Sequence, residues 1–236
     1  MNVYYHWGRI GDILYSIPTI NVLGRGDLIL GMSQPRVDFM RSFLEAQPSI
    51  ARVLHDPRGR MNQWTYRPPG VTHDLNAFRM LGMDFARHSL VALQAKPFKV
   101  KLESLWKPWL VVPEGWVAGK YSRAIVARSS RYHNPAMDWA KEIAMLRANF
   151  LEVAFIGIQS EHEEFCAEVG DVARIETPTL WDMARVIYES QSFTGNHSSP
   201  LAVAQGLGVK HRIEVAPGHW NVEHPENPNE ERLCPT

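Results

Sequence analysis

The feature that most limits what this chain can fold into is an alternation. Short runs rich in β-branched, aromatic and aliphatic residues are followed by polar, glycine-bearing loops and then by helical runs. In the first half Asn2 to Trp7, Asp27 to Met32, Ile50 to His55 and Thr72 to Phe78 read as strands, and Ile13 to Leu23, Arg36 to Glu45 and Arg87 to Ala95 as helices. In the second half Arg123 to Arg128, Leu151 to Ile158, Ala173 to Glu176 and the run ending near Gly195 read as strands. Asp138 to Ala148, with Trp139, Ile143 and Leu146 on one face, Glu161 to Val169 and Leu180 to Ser190 read as the helices between them. Strands joined through helices lie parallel, so the chain is predicted to be α/β, with its ligands at the carboxyl ends of the strands.

Finer features carry their own expectations. Pro18 lies inside the first helical run and should kink or break it. Ser160 and Glu163 have capping-box spacing for the Glu161 helix. Arg212 to Val215 should close the second sheet, and the Pro-, Asn- and Glu-rich tail from Ala216 should wrap or be disordered. Pro108 to Tyr121, with Pro113, Gly115 and Gly119, is the best linker. It divides the chain into domains at 1–112 and 122–215, a linker at 113–121 and a tail at 216–236.

Composition narrows the function classes. The 25 basic side chains balance 25 acidic ones, so no global field points to nucleic acid. Cys166 and Cys234 have no metal-ligand spacing and read as free thiols of a reducing compartment. His211, His219 and His224 lack regular spacing, so no metal site is expected. Met1 to Trp7 is short and polar for a signal peptide, and no apolar run approaches membrane-spanning length. A cytoplasmic protein is the expectation.

Three stretches carry candidate chemistry. Ser192 to Gly208 runs from a strand end through a polar loop into a thin helix. Ser198 or Ser199 stands at its cap, Pro200 in its first turn and Gly208 at its end. Its N–H groups offer a site for phosphate, although any strand–loop–helix corner meets the same capping rules. Gly8-Arg9-Ile10-Gly11-Asp12 is a loop that backbone-close substrates can approach, with Asp12 either a helix cap or a functional acid. Asp56 to Gly70 carries Arg58, Arg60, Trp64, Tyr66 and Arg67, side chains suited to a flat anionic partner or to pinning a surface loop.

The order of these motifs resembles the heptosyltransferase-like glycosyltransferases of glycosyltransferase family 9. GRIGDILYSIP is similar to the family's Gly-Asp-x-x-x-x-x-Pro opening, AFIGIQSEHEEF to its hydrophobic-Gly-x-x-x-Glu element, and GNHSSPLAVA to its late Gly-Asn-Asp-Ser-Gly-Pro-x-His-x-Ala loop. The chain also resembles a divergent branch often encoded by phages, through Asn196 to Ser198, Arg128 to Tyr132 and Glu214. Departures fall on the donor loop, where His197, Ser199 and Ala202 replace the family's acid, glycine and histidine, so the donor need not be ADP-heptose.

The resemblance implies a GT-B architecture: two Rossmann-like domains with parallel sheets facing a cleft. It implies inverting transfer from a nucleotide-sugar with neither metal nor other cofactor, and Asp12 as general base. Arg128, Ser129, Arg131, Tyr132, Gly157, Glu161, Asn196, His197, Ser198, Ser199 and Glu214 would serve the donor, with Glu214 on the ribose hydroxyls. His6, Gly8, Arg9 and Gly11 would serve the acceptor side, and His133 reads as a loop histidine. The acceptor would be flat and anionic, a hydroxymethylated base in phage DNA or a nucleotide, and otherwise a glycan. Phage origin would place the protein in host cytoplasm. A non-catalytic nucleotide-binding module and a GT-B nucleotide-sugar epimerase are the alternative classes.

Overall fold

The computed structural model describes residues 1–60, 66–80, 88–102, 107–218 and 229–233, and the side chains of 60 and 232 are excepted. Trp64, Arg87, His219, His224 and Cys234, all named above, lie outside that set. The first half opens with β1 (Asn2–His6), α1 (Ile10–Leu23), β2 (Gly26–Leu30), α2 (Gln34–Glu45) and β3 (Ile50–His55). A 3₁₀ turn at Pro57–Arg60 follows, then β4 (His73–Asp74), a second 3₁₀ turn at Ala77–Met80 and α3 (Leu90–Ala95). Its strands form one parallel sheet in the order β3-β2-β1-β4, with Tyr4 opposite Leu28 on one side and His73 on the other. The strand expected over Thr72 to Phe78 stops at Asp74 because its carboxylate accepts the Asn76 N–H at 3.0 Å and turns the chain.

The second half contains β5 (Tyr121–Ala127), α4 (Trp139–Asn149), β6 (Glu152–Phe155), α5 (Gln159–Val169), β7 (Ala173–Arg174) and α6 (Leu180–Tyr188). It continues with β8 (Ser190–Gly195), α7 (Ser199–Leu207), β9 (His211–Glu214) and β10 (Glu230–Leu233). All pairings are parallel, in the order β10-β9-β8-β5-β6-β7. The sheet therefore does not close at Arg212 to Val215. Four residues of the tail add a strand beyond it, with Glu230 opposite His211. Glu230 reaches inward to His211 Nε2 at 3.4 Å, so this edge is held by a polar contact that a hydrophobic pattern does not advertise. The Ser160–Glu163 capping box is also absent. The helix begins two residues earlier, and Glu161 accepts the Ile158 N–H at 3.4 Å while Glu163 accepts from Gln159 at 2.7 Å.

The halves share one hydrophobic core. Ile13, Leu14 and Ile17 of α1 and Phe43 and Leu44 of α2 belong to the same buried cluster as Leu180 of α6 and Leu201 and Ala204 of α7. A smaller cluster of Trp139, Phe155 and Phe165 covers the other face of the second sheet. The segment between the sheets takes part in this packing. Trp109 and Leu110 are buried, and both donate backbone N–H bonds of 2.9 Å to the Gly206 carbonyl. A Cβ on Gly206 would lie 2.5 Å from Leu110 Cδ1, so only glycine lets this segment seat against α7.

Pro18 does not break α1, which runs unbroken from Ile10 to Leu23. Its ring removes the N–H that would bond the carbonyl four residues back, that of Leu14. The Trp109 indole Nε1–H supplies the missing bond at 3.1 Å. Trp109→Phe should therefore leave a buried carbonyl unpaired and destabilise the fold by about 1–3 kcal/mol. Pro18→Ala restores a backbone donor, so the loss should be smaller in that background. Urea unfolding of the two single variants and the double variant measures this coupling, and strict additivity would show that the indole does not replace the helical bond.

Candidate functional site

The carboxyl edges of the two sheets meet at a cavity of about 720 Å³. From the first half it takes the start of α1 at Ile10 and the start of α2 at Pro35, Arg36 and Phe39. From the second it takes the loops after β5, β6 and β7 and the start of α7 at Ser198 to Pro200. A smaller cavity of about 100 Å³ adjoins the α1 start, with Asp12, Gly11, Tyr15, Tyr132, His197 and Ser199 among its walls. A third, of about 310 Å³, is bounded by Arg9, Arg36, Arg131 and Ser199 with Ile10 and Gly11. The Gly8–Asp12 and Asn196–Ser199 loops face each other directly. A Cβ on Gly11 would sit 3.8 Å from Ser199 Cα.

Asp12 is held on one oxygen. Its Oδ2 accepts the Arg9 N–H at 3.1 Å and pairs with the Arg79 guanidinium. Among the described residues its Oδ1 has no hydrogen-bond partner, so one carboxylate oxygen remains for a ligand. Arg79 is itself fixed, 5.2 Å from the Trp7 ring and 4.7 Å from that of Phe78, and Gln94 donates to the Asp12 carbonyl at 2.8 Å. Arg79, Gln94 and Arg36 escaped the sequence reading. Arg36 stands just past the carboxyl end of β2, and extending the strand-end rule to every helix start would have found it.

Helix α7 begins as its sequence predicts, with Pro200 in the first turn and Gly208 at φ 71° ending it. Ser198 occupies the cap position, but its hydroxyl donates to the Asn196 carbonyl at 3.2 Å and leaves the helix N–H groups without a side-chain cap. Arg131 is exposed, lies 5.2 Å from the Tyr132 ring and borders all three cavities. Tyr132 has φ 60°, a left-handed conformation that costs a non-glycine residue about 1–2 kcal/mol, and its ring lies 5.9 Å from His197. Ser129, Gly157 and Glu161 also line the large cavity.

Several predicted donor residues are placed differently. Glu214 is fully buried and does not line these cavities. It accepts from Arg128 at 3.1 and 3.2 Å and from the Asn134 N–H at 2.8 Å, so it is turned inward to Arg128 and the Asn134 backbone rather than to a ribose in the cavity. Arg128 is spent on the same contact, pairs also with Glu168 and lies 5.5 Å from the Trp139 ring. It borders the large cavity as a neutralised cation, unlike Arg131. Asn196 is buried and acts as a clasp on the Arg128–Arg131 loop. Its Oδ1 accepts the Ser129 N–H at 3.0 Å, and its Nδ2 donates to the Ser129 and Arg131 carbonyls at 2.9 and 2.6 Å. His133 Nε2–H donates to the same loop, to the Ser129 carbonyl at 2.6 Å, as a loop histidine would.

His6 and Gly8 shape the Gly8–Asp12 loop from beneath. His6 is fully buried, its Nδ1 accepts the Gly8 N–H at 2.8 Å, and a Cβ on Gly8 would lie 2.5 Å from His6 Cε1. In the Arg58–Arg67 loop, Arg58 and the Tyr66 hydroxyl both bond Asp56, the latter at 2.7 Å, and Arg58 lies 5.1 Å from the Tyr66 ring. Burial of Asp56 is outweighed by these bonds, so its carboxyl stays below the usual range. Arg67 is exposed. Arg58, Tyr66 and Arg67 border none of the three cavities described. Among the described residues no group of His, Cys, Asp and Glu side chains is arranged to hold a metal, and no helix is long and apolar enough to cross a membrane.

This architecture recurs in solved structures. A family 9 glycosyl transferase from Veillonella parvula superposes with a TM-score of 0.66 at 12% identity, over 98% of this chain and 84% of that one. Escherichia coli ADP-heptose lipopolysaccharide heptosyltransferase II gives 0.65 at 14% identity, over 99% and 90%. An E. coli heptosyltransferase solved with ADP-2-deoxy-2-fluoro heptose gives 0.63 at 14% identity, over 99% and 93%. No protein-family model and no curated protein matches the sequence. The chain thus has the GT-B fold of these enzymes, and at such identities the likeness is one of fold.

Burial holds the His6 imidazole neutral, and the nearby Arg79 charge adds to this, pushing its pKa down to about 3. An unfolded histidine titrates near 6.5, at about 1.4 kcal/mol per pKa unit. Between these values the unfolded chain binds a proton that the folded chain refuses, so stability is lost as pH falls from about 6.5 toward 3. His6→Asn, which can still accept the Gly8 N–H, should lower this slope by about 1.4 kcal/mol per pH unit between about pH 6 and 4. Urea unfolding across that range measures it, and parallel curves would mean that His6 is protonated in the folded protein.

Proposed function

We propose that this chain is a glycosyltransferase that moves a sugar from a nucleotide-sugar donor to an acceptor hydroxyl, with inversion and without a metal. The observation that carries this reading is the meeting of Asp12 with the start of α7 across one cavity system, inside a fold shared with enzymes of that class. The donor diphosphate lies at the N–H groups of α7, whose dipole favours an anion, with Arg131 beside it. Asp12 Oδ1 takes the acceptor hydroxyl proton as that oxygen attacks the anomeric carbon. The bond from the anomeric carbon to the diphosphate oxygen breaks on the opposite face. Arg131 and the helix N–H groups receive the charge that builds on the leaving group, a role a metal plays elsewhere. Arg79 keeps the base oriented through its other oxygen.

Donor binding and chemistry separate by mutation. Asp12→Asn should reduce turnover by about 10²–10⁴ while nucleoside diphosphate affinity, read by calorimetry, holds. Arg131→Ala should weaken that affinity by about 1.5–3 kcal/mol. Arg128→Ala should act chiefly on stability, because Glu214 is then left buried without its partner. Unchanged diphosphate binding in Arg131→Ala would remove the diphosphate from this position. Diphosphate binding with no transfer from any nucleotide-sugar would leave a binding module.

For the acceptor we propose a flat anionic molecule, with a hydroxymethylated base in phage DNA or a nucleotide as the sharp form and a glycan as the alternative. Arg67 and the Tyr66 face are the supporting features. If the acceptor is polymeric DNA, transfer should fall steeply between about 50 and 200 mM salt, because phosphate contacts are exchanged for counterions. Transfer to DNA that ignores salt, or transfer to a glycan alone, removes the polymer.

A further inference from the structure

We infer that the cavity between Arg9, Arg36 and Arg131 binds a phosphate monoester carried by the acceptor, next to the donor diphosphate. The inference rests on the transfer reading above and adds the chemical class of the acceptor.

The argument begins with charge. Arg9, Arg36 and Arg131 are exposed, and none makes an ion pair among the described residues. The three border a single space of about 310 Å³ whose walls include no acid. Three helices also start there or next to it: α1 just after Arg9, α2 two residues before Arg36, and α7 at Ser199. The cap residues of α2 and α7 make no side-chain cap bond, whereas at α1 Asp12 in the first turn accepts the Arg9 N–H. Each helix start contributes roughly half a positive charge. Three guanidinium groups and these helix ends together make the space attractive to an anion.

A donor diphosphate does not use all of this. Arg131 and α7 come from the second half, whereas Arg9 and Arg36 come from the first, on the opposite wall. Arg9 also borders the smaller cavity together with Asp12. A group held by the Arg9 guanidinium therefore sits beside the carboxylate that receives the acceptor proton. That geometry assigns Arg9 to the acceptor, and Arg36, which shares the space of about 310 Å³ with it and also borders the large cavity, is its partner there. A monoester carries close to two negative charges near neutral pH, against one for a diester, and bidentate arginine contacts suit its three free oxygens. On this argument the nucleotide form of the acceptor, or a glycan bearing a phosphate monoester, is favoured over the DNA form, whose backbone offers diesters.

The test is calorimetry on the full chain in low-salt, phosphate-free buffer, with glycerol 3-phosphate as probe, with and without saturating ADP. Wild type should bind the probe in both conditions. Arg9→Gln and Arg36→Gln should each weaken it by about tenfold or more, with ADP affinity changed by less than about threefold. Both side chains are exposed, so the fold should persist, and circular dichroism checks it. Displacement of the probe by ADP, or equal loss of ADP affinity in the two variants, would put these arginines on the donor and overturn the inference. Absence of probe binding, or tighter binding of a dithymidine phosphodiester, would overturn it as well. Arginine-dependent probe binding in a protein that binds neither ADP, UDP, GDP, CDP nor dTDP would keep the phosphate site and remove the transfer reading instead.

Discussion

The Leu14 carbonyl, deprived of its helical donor by Pro18, is the point on which the arrangement of the two halves turns. Trp109 reaches it from the segment between the sheets, and the same segment is bonded through its backbone to Gly206 of α7. One indole therefore fixes α1 and α7 with respect to each other. Tyr15 strengthens the seam with a buried 2.6 Å bond to Gln205. Asp12 lies near one end of α1 and Ser199 begins α7, so the alignment of these helices decides whether Asp12 and the start of α7 border one space. A defect in helix hydrogen bonding has become the registration mark of the site.

Around that mark the charges sort into two kinds. Arg128 and Arg79 are neutralised by Glu214 and Asp12 and act as fixtures. Arg9, Arg36 and Arg131 are unpaired among the described residues and face open space. Buried, hydrogen-bonded pairs are costly to break and poor at changing partners, whereas solvated arginines give up water readily for a bidentate anion. The polar framework beneath the loops is similarly committed: Asn196 spends its whole carboxamide on the Ser129–Arg131 backbone. Fixed framework and available cations thus occupy different layers.

The sequence made the alternation legible because parallel strands buried on both faces need apolar runs, and Tyr4, Leu28, Ile125 and Phe193 are such residues. It also made the start of α7 legible, since capping follows local rules. What stayed hidden depends on partners distant in the chain. Asp12 meets Arg79 across 67 residues and Arg128 meets Glu214 across 86, and no local pattern announces either pair. Read alone, Glu214 looked like a ligand group and Arg128 a free cation. Together they cancel. Strand β10 was illegible for a different reason: its Glu-Glu-Arg-Leu sequence lies at a sheet edge, where polarity is tolerated and an inward Glu230 stands beside the buried Leu233.

Phe43 of α2, Trp116 of the connecting segment and Trp181 and Tyr188 of α6 form one aromatic group, with Trp116 and Trp181 centred 5.4 Å apart in edge contact. Such rings each bury about 150–250 Å² of surface. Because they draw on both halves, these rings couple the folding of the two sheets. Neither half, expressed alone, would retain a covered face on α1 and α2 or on α6 and α7. Melting should thus be a single transition, and the traffic of ligands into the cavity falls to the loops at the strand ends rather than to a wide hinge between independent lobes.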